Sequence, residues 1–175
     1  MFMGKGQENP MAAANTINGK FAKITMDRVH PITRESIRRT IMGARNITAT
    51  GDFTKQSLPI IGRKANSHKI TDLNWTGTLG AYWGTRAFLE YMNTYRNDGV
   101  FPEVAIFIYQ EDPQTSLGPY SCKLLGVQFD SIQVANVDIE ATSLQYDMPF
   151  TFEDWEPGEL FKELDPGKYG EDDYL

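Results

Sequence analysis

The clearest pattern of hydrophobic and polar positions runs through residues 68–96. Up to residue 80, apolar and polar side chains alternate, which predicts a strand with one buried and one wet face. Apolar positions then recur at helical spacing, at Phe88, Leu89, Met92 and Tyr95. The turn-forming residues 97–99 predict the end of this helix. Since the other patterned segments predict strands, we expect one amphipathic helix on a mainly β protein.

Residues 46–56 predict a second strand whose two faces differ. One face is apolar and is formed by Ile47, Ala49, Gly51 and Phe53. The other face is formed by Thr48, Thr50, Asp52 and Thr54, a composition typical of a β surface in contact with water. Turn-forming residues at 62–67 return the chain to the strand that begins near His68. The two strands therefore follow each other with a turn between them.

Further strands are predicted at residues 16–26, 103–109, 120–132 and 134–152. The segment 103–109 is apolar on both faces, which predicts a central strand covered on each side. In the last segment the apolar phase changes from odd to even positions near Thr142 and Ser143. A bulge or bend at that point would explain the change.

The length of 175 residues fits one domain with a full core. We expect a flexible arm at residues 1–14, a β domain at residues 15–156 and an acidic tail at residues 157–175. Residues 27–45 have no strand periodicity and predict a long basic loop, with a helical turn at residues 35–40. Loops of this length inside a compact domain are usually functional or misassigned.

The net charge of −6 conceals two segments of opposite sign. Residues 153–175 contain nine acidic residues and two lysines, whereas residues 28–45 contain one glutamate and five arginines: Arg28, Arg34, Arg38, Arg39 and Arg45. Such asymmetry indicates contact with nucleic acid, attraction between copies of the chain, or simply a solvated loop and tail. Arg34 and Arg38 would share a helix face, but no interleaved aromatic residue could stack on bases, which disfavours a nucleic-acid reader.

No combination of residues predicts catalysis. His30, His68 and Cys122 are too scattered to predict a metal site, and the glycine-rich segment 77–84 lacks the Lys-Ser/Thr of a phosphate loop. We therefore predict no enzymatic activity, no cofactor and no metal. The single cysteine excludes an intrachain disulfide, and no apolar run has the length of a membrane span or a signal peptide. We expect a protein made in the cytoplasm.

Several motifs together resemble the XkdM-like tail-tube proteins of contractile phage tails, defective prophages and phage-tail-like bacteriocins. That family pattern has an opening N-T-I-x-G-K strand, an I-M-G-R-[RK] element, a T-G-T strand before a helix, and a closing run like V-x-F-D-S, V-D-I-E and E-V-P-F-T-F-E-D. The matching segments here are 15–20, 60–64, 76–78, 127–131, 137–140 and 148–154. The closing run is the most specific part of the match.

The resemblance implies a small β-sandwich or barrel of two packed antiparallel sheets with one flanking helix. It also implies a structural protein that self-assembles as stacked hexameric rings into the inner tube of a contractile tail or tailocin. Such a tube is a conduit for DNA or ions through the cell envelope, and a long hairpin from each subunit lines it. Thr48, Thr50, Asp52 and Thr54 are therefore candidates for facing the lumen, where an uncharged or acidic surface lets DNA slide.

The partners implied by the resemblance are further copies of the chain and the tail sheath, baseplate and tail terminator proteins. DNA would pass transiently in a phage, and no stable membrane association is expected. The protein would reside in the virion or tailocin particle after assembly in the bacterial host cytoplasm. The basic segment 27–45 is longer than the family usually has. Because this segment and the acidic tail have opposite charges, both are candidates for contacts between rings or with the sheath, and Arg34, Arg38, Arg39 and Arg45 are the candidate residues of the segment.

Two alternatives have different consequences. A monomeric β-sandwich module could bind carbohydrate through Trp75, Trp83 and Trp155, although each lies in an apolar phase that favours the core. A tube protein of a secretion system would share the architecture of a tail tube.

Overall fold

The computed structural model describes residues 16–115 and 117–162. The predicted arm at residues 1–14 and most of the predicted tail at residues 157–175 lie outside this part of the chain. After a 3-10 turn at Gly19–Phe21, the elements in chain order are β1 (Ala22–Val29), β2 (Ser36–Thr40), β3 (Ala44–Leu58), β4 (Ser67–Tyr82), α1 (Ala87–Asp98), β5 (Glu103–Gln110), β6 (Tyr120–Leu125), β7 (Gln128–Phe129), β8 (Gln145–Thr151) and β9 (Asp154–Pro157).

The strands form two antiparallel sheets that pack face to face. One has five strands in the order β2-β1-β5-β6-β9, and the other has four in the order β3-β4-β8-β7. The shared core includes Ile24, Met26, Val104, Ile106 and Leu124 from the first sheet and Leu79, Tyr146, Met148 and Phe150 from the second. The fold is thus a mainly β sandwich with one helix, as expected.

The predicted strand followed by a helix is confirmed. β4 ends at Tyr82, and α1 begins five residues later at Ala87. The helix ends where Gly99 adopts a left-handed conformation with φ of 69°, and its N–H donates to the carbonyl oxygen of Tyr95 at 2.8 Å. Glycine takes this conformation without the steric cost that a Cβ would impose.

Helix α1 bridges the two sheets. The buried ring of Phe88 meets the ring of Phe129 edge-on, with centroids 5.4 Å apart, on the side of the four-stranded sheet. The carboxylate of Glu90 pairs with Arg28 at 3.4 Å and with Arg39 at 3.2 Å, both from the five-stranded sheet. Because Arg28 is largely buried, this pairing offsets part of the cost of removing its charge from water.

The two longest strands, β3 and β4, form one hairpin. Their register runs from Ala44 opposite Ala81 to Leu58 opposite Ser67. β8 pairs with β4 only from Thr76 to the end of that strand. Within the described chain, the part of the hairpin nearer its connection is therefore a two-stranded ribbon that projects beyond the sandwich.

The prediction of a long loop with a helical turn at residues 27–45 is wrong, because residues 27–40 belong to a β-hairpin and residues 44–45 begin β3. Residues 27–29 belong to β1, and β2 pairs with them in antiparallel register. The turn between the strands is closed by His30, whose N–H donates to the carbonyl oxygen of Glu35 at 2.9 Å. All five residues of β2 are exposed, so this edge strand lacks the apolar alternation by which strands are detected.

Two other strand predictions need correction. The first strand begins at Ala22 and not at Thr16, since Asn18 caps the 3-10 turn by accepting the N–H of Lys20 at 3.0 Å. β5 is central in its sheet, as predicted, but only one of its faces is buried. On the other face, two cations cover the ring of Phe107: Arg38 at 5.3 Å and Lys123 at 5.1 Å from its centroid.

The two long closing strands predicted at residues 120–132 and 134–152 are instead three short strands, β6, β7 and β8. Gly126, with φ of 63°, turns the chain between β6 and β7, and residues 130–144 form an irregular connection before β8. The predicted change to buried apolar residues at even positions is confirmed, because Tyr146, Met148 and Phe150 are buried. The proposed bend at residues 142–143 lies in the irregular connection rather than in a strand.

Gly77 is required where β4 pairs with β8, opposite Phe150. A Cβ at this position would overlap the ring of Phe150 and lie 2.6 Å from the carbonyl oxygen of Thr48. We expect Gly77→Ala to lower the free energy of unfolding by about 1–3 kcal/mol, the usual cost of overpacking. Urea denaturation provides the measurement, with Gly19→Ala as control because a methyl group there would have no neighbouring atom within 4 Å. Equal midpoints for the two variants would contradict the packing described.

Candidate assembly surfaces

The polar residues predicted on β3 form one half of a wider polar face. Their cross-strand partners on β4 are Thr78 for Thr48, Thr76 for Thr50, Asn74 for Asp52 and Asp72 for Thr54. Residues paired across antiparallel strands share a face of the sheet. The hydroxyl of Thr76 donates to Oδ2 of Asp52 at 3.2 Å. These eight residues, which we call the polar face, carry no cation and two acidic groups, Asp52 and Asp72.

The opposite side of the hairpin is apolar, and the sandwich covers only part of it. Where Ile47 pairs with Leu79, the leucine is fully buried. Further along the hairpin, Phe53 is 59%, Ile70 55% and Leu73 38% exposed. We call Phe53, Ile70 and Leu73 the hairpin patch. Clustered exposed apolar side chains of this kind mark an interaction surface.

A β-bulge brings the members of the hairpin patch onto one face. Thr54 pairs with Asp72 and the next residue pairs with Ile70, so Thr71 is an extra residue on β4. Its hydroxyl donates to the carbonyl oxygen of Thr54 at 3.2 Å. Because of this insertion, Ile70 and Leu73 face the same side although they are three residues apart.

Each sheet ends in strands with one open edge within the described chain. The outer strands are β3 and β7 in the four-stranded sheet, and β2 and β9 in the five-stranded sheet. Such edges present backbone N–H and C=O groups that can pair with another chain. The edge strand β2 carries Arg38 and Arg39, whereas β9 carries Asp154 and Glu156. The two edges of the five-stranded sheet therefore have opposite charge.

The four arginines predicted to contact other subunits each form an ion pair within the chain. The pairs are Arg34 with Glu103 at 3.4 Å, Arg38 with Asp27 at 2.6 Å, Arg39 with Glu90 at 3.2 Å and Arg45 with Asp147 at 2.9 Å. The β1–β2 hairpin holds the first three, and Arg45 lies on β3. The guanidinium groups remain within reach of solvent, with Arg34 and Arg38 the most exposed.

Arg34 and Arg38 do not share a helix face. Arg34 occupies the turn with φ of 60°, and Arg38 lies on β2 opposite Asp27. Two nitrogens of Arg38 donate to the two carboxylate oxygens of Asp27 at 2.6 and 2.7 Å. These hydrogen bonds, followed by the charge attraction, raise the pKa of Arg38 above its ordinary value. Arg38 is thus a permanent cation in a fixed orientation.

The residues considered as metal ligands are not brought together. His30 lies in the β1–β2 turn, 3.1 Å from Asp98, whereas His68 is on β4 and Cys122 is buried on β6. Across residues 16–115 and 117–162, no group of three or more histidine, cysteine or acidic side chains could hold a metal ion.

The tryptophans do not form an exposed platform for sugar. Trp75 packs on Phe152 with ring centroids 5.4 Å apart, and Trp83 meets Tyr146 at 5.5 Å. Both are partly buried against the core, as their apolar phase predicts. Trp155 is the more exposed of the three and lies on β9. This arrangement disfavours the carbohydrate-binding alternative.

A cleft of about 1130 Å³ opens between the two sheets. Its lining is largely apolar and includes Ile24, Ile47, Trp75 and Ile108. It therefore resembles an incompletely covered core more than a reaction site.

The hairpin patch was not recognised from the sequence as an exposed surface. Phe53 and Leu73 have the alternation of half-buried residues, and alternation does not reveal whether the other sheet reaches them. The length of the hairpin was the available signal: β4 has 16 residues, twice as many as β1 or β5.

Together the fold and its surfaces define a class of protein: a small β-sandwich that projects a long hairpin and presents edges and apolar side chains suited to association with further copies. A family model described as "Phage tail tube protein" matches residues 9–159. The chain belongs to this family, which confirms the resemblance found in the sequence and identifies a structural tail-tube protein.

Two relatives from Bacillus subtilis (strain 168) support this assignment. The phage-like element PBSX protein XkdM is 29% identical over 146 residues, which cover 83% of this chain and 92% of XkdM. The uncharacterized protein YqbM is 29% identical over 152 residues, which cover 87% of this chain and 97% of YqbM.

Solved structures with the same fold come from tail-like particles. The anti-feeding prophage cap structure contains a chain with a TM-score of 0.56 at 11% identity, covering 89% of this chain and 99% of that one. The SPP1 tail tube gives a TM-score of 0.50 at 10% identity, covering 86% of this chain and 81% of that one. At such low identity these likenesses establish the fold alone. Within the described residues, the helix is neither long nor apolar enough to cross a membrane.

The exposure of the hairpin patch predicts that it contributes little to the stability of one chain. We expect Phe53→Ser with Ile70→Ser to change the free energy of unfolding by about 0.5 kcal/mol per site or less, since exposed residues are usually near neutral. Leu79→Ala, at a fully buried position, should cost about 2–5 kcal/mol. Urea denaturation of dilute protein measures both. A loss as large as that of Leu79→Ala would show that the patch is covered within the chain.

Proposed function

We propose that this protein forms the inner tube of a contractile phage tail or tailocin as stacked hexameric rings and has no enzymatic activity. The hairpin patch is the observation that carries this proposal. A hairpin that leaves three large apolar side chains in water is best explained by an identical neighbour that covers them.

The open sheet edges support closure into a ring. β3 lies at one edge of the four-stranded sheet and β7 at the other. A contact between the β3 edge of one copy and the β7 edge of the next is head-to-tail. Repeating such a contact gives a closed ring if the rotation from one copy to the next is a whole fraction of a full turn. A closed ring of six would leave fewer sheet edges open to aggregation than separate chains do.

In this assembly the polar face lines the lumen. Its eight side chains are threonine, asparagine and aspartate, so they are small and wet. Thr48, Thr50, Asp52 and Thr54 are the lumen-facing candidates from β3. Asp52 and Asp72, repeated around the ring, repel phosphate, which allows DNA to pass without adhering. The apolar side of the hairpin then faces the sandwich and the neighbouring copy.

The outer surface would meet the other tail proteins. The structures of similar fold include the baseplate and the tube-terminating cap of the anti-feeding prophage. By analogy, we propose a sheath, a baseplate and a tail terminator as partners, transient contact with DNA in a phage, no stable membrane association, and assembly in the host cytoplasm. Arg34, Arg38, Arg39 and Arg45 remain the candidates for contacts between rings or with the sheath.

Assembly is the direct test. We expect the purified protein to form hexameric rings and tubes as its concentration rises, and Phe53→Ser with Ile70→Ser to remain monomeric because the neighbour loses its apolar contact. Sedimentation velocity and negative-stain microscopy provide the measurement. Cryo-electron microscopy of the tubes then shows whether Thr50 and Asp52 line the bore.

A matched control replaces two exposed apolar residues outside the hairpin, Phe21→Ser with Leu160→Ser. This variant should assemble like the original protein. If the original chain stays monomeric at every concentration, the proposed function is wrong. If the hairpin variant still forms rings, the hairpin patch is not the contact between copies.

The arginine candidates have a separate test. Arg34→Glu, Arg38→Glu and Arg39→Glu together should shorten the tubes or abolish sheath binding, because the β1–β2 hairpin changes from basic to acidic. The same three positions changed to Gln form the control, since they remove the intrachain ion pairs without reversing the charge. Electron microscopy of tubes mixed with sheath protein measures both effects. Tubes of normal length that still bind sheath would exclude these residues from either contact.

A further inference from the structure

We propose that one ring stacks on the next by docking the connection of the β3–β4 hairpin onto the β7–β8 connection of a second copy of this chain. This inference rests on the proposed tube and specifies a contact that stacking would use. The hairpin connection consists of residues 59–66, and we call it the tip; the β7–β8 connection consists of residues 130–144, and we call it the acidic loop.

The tip combines positive charge with exposed apolar side chains. Ile61 is fully exposed and Ile60 is half exposed. Arg63 and Lys64 follow directly, and residues 55–71 contain four lysines or arginines and no acidic residue. A turn in which the N–H of Arg63 donates to the carbonyl oxygen of Ile60 at 3.2 Å keeps the isoleucines beside the cations.

The acidic loop has the complementary character. Val137 is 94% and Ile139 is 99% exposed, and they alternate with Asp138 and Glu140. Residues 130–144 contain three acidic residues and no lysine or arginine. The N–H of Glu140 donates to Oδ1 of Asp138 at 3.0 Å, which turns the chain so that Ile139 projects between the two acids.

Neither set of charges is neutralised within the described chain. Its ion pairs involve none of Arg63, Lys64, Asp138 or Glu140, whereas each arginine of the β1–β2 hairpin has an acidic partner. Arg63 donates instead to the hydroxyl of Ser67 at 3.0 Å, which orients the guanidinium without cancelling its charge. The tip and the acidic loop are therefore free to attract each other across an interface.

The two surfaces lie at opposite ends of the four-stranded sheet. The tip joins β4 at Ser67, whereas the acidic loop enters β8 beside the other end of β4, where the N–H of Trp83 donates to the carbonyl oxygen of Leu144 at 2.9 Å. The acidic loop begins at Asp130, whose N–H donates to the carbonyl oxygen of Pro149 at 2.9 Å, opposite Thr78 of β4. At about 3.3 Å per residue, the part of β4 from Ser67 to Thr78 is roughly 36 Å long. One chain cannot join its own two surfaces, but copies stacked end to end bring each tip to an acidic loop.

The tip and the acidic loop are complementary in charge, and both expose apolar side chains. Ile60 and Ile61 would bury Val137 and Ile139, and the flanking cations would meet Asp138 and Glu140. Because the contact is head-to-tail, it repeats without limit along an axis, as a tube of many rings requires. It leaves the hairpin patch free for contact within a ring.

Charge reversal tests the contact. We expect Arg63→Glu with Lys64→Glu to form rings but to raise the concentration needed for tubes by more than about tenfold, because like charges then face each other. Asp138→Lys with Glu140→Lys should have the same effect. The control is Lys20→Glu with Lys23→Glu, at two exposed positions outside both surfaces. It changes the net charge by the same amount as Arg63→Glu with Lys64→Glu and should still form tubes.

A mixture of the two charge-reversed proteins provides the decisive experiment. Each carries two surfaces of like charge, so neither should form tubes alone, whereas a mixture should form tubes of alternating rings. Sedimentation measures the polymer, and microscopy with one variant labelled shows the alternation. The proposal is wrong if either reversed protein forms tubes like the original, or if the mixture stays as rings. Failure of the original protein to form rings at all would instead refute the proposed function.

Discussion

The structure depends on the antiparallel pairing of β3 with β4. This ladder continues for eight residue pairs beyond Thr76, where β8 begins to pair, so in that part of the hairpin each strand has only the other as its partner. An isolated two-stranded hairpin is marginally stable in water. Here the buried half of the same ladder, with Leu79 and Ala81 in the core, anchors the projecting half. The hairpin therefore combines rigidity near the core with uncovered surface at its far end.

Around this ladder, each side of the hairpin has a separate role. The polar face carries threonine, asparagine and aspartate side chains, while the apolar side is divided between the chain's own core and the hairpin patch. The β-bulge at Thr71 maintains that division, because it keeps Ile70 with Leu73 on the apolar side. In the proposed tube, the apolar residues of the hairpin near the core stabilise the fold, and those of the hairpin patch contact the neighbouring copy.

The charged residues separate in a similar way. Arginines on the β1–β2 hairpin are paired with acids of the same chain, and Glu90 uses two of them to attach helix α1. The cations of the tip and the acids of the acidic loop have no such partners in the described chain. Charge clusters that look alike in the sequence are thus paired within the chain on the β1–β2 hairpin, but have no ion-pair partner within the described chain in the tip and the acidic loop.

Local sequence patterns predict the mainly β class, the strand followed by helix α1, the two faces of β3 and the family, because alternation, helical spacing and motif identity are local properties of the chain. They do not reveal that residues 27–40 belong to a hairpin, since an edge strand exposed on both sides has no apolar period. They also do not show which apolar residues remain uncovered or which arginines are already paired. These points follow from the folded structure, because burial and ion pairing depend on groups far apart in the chain, such as Arg39 with Glu90.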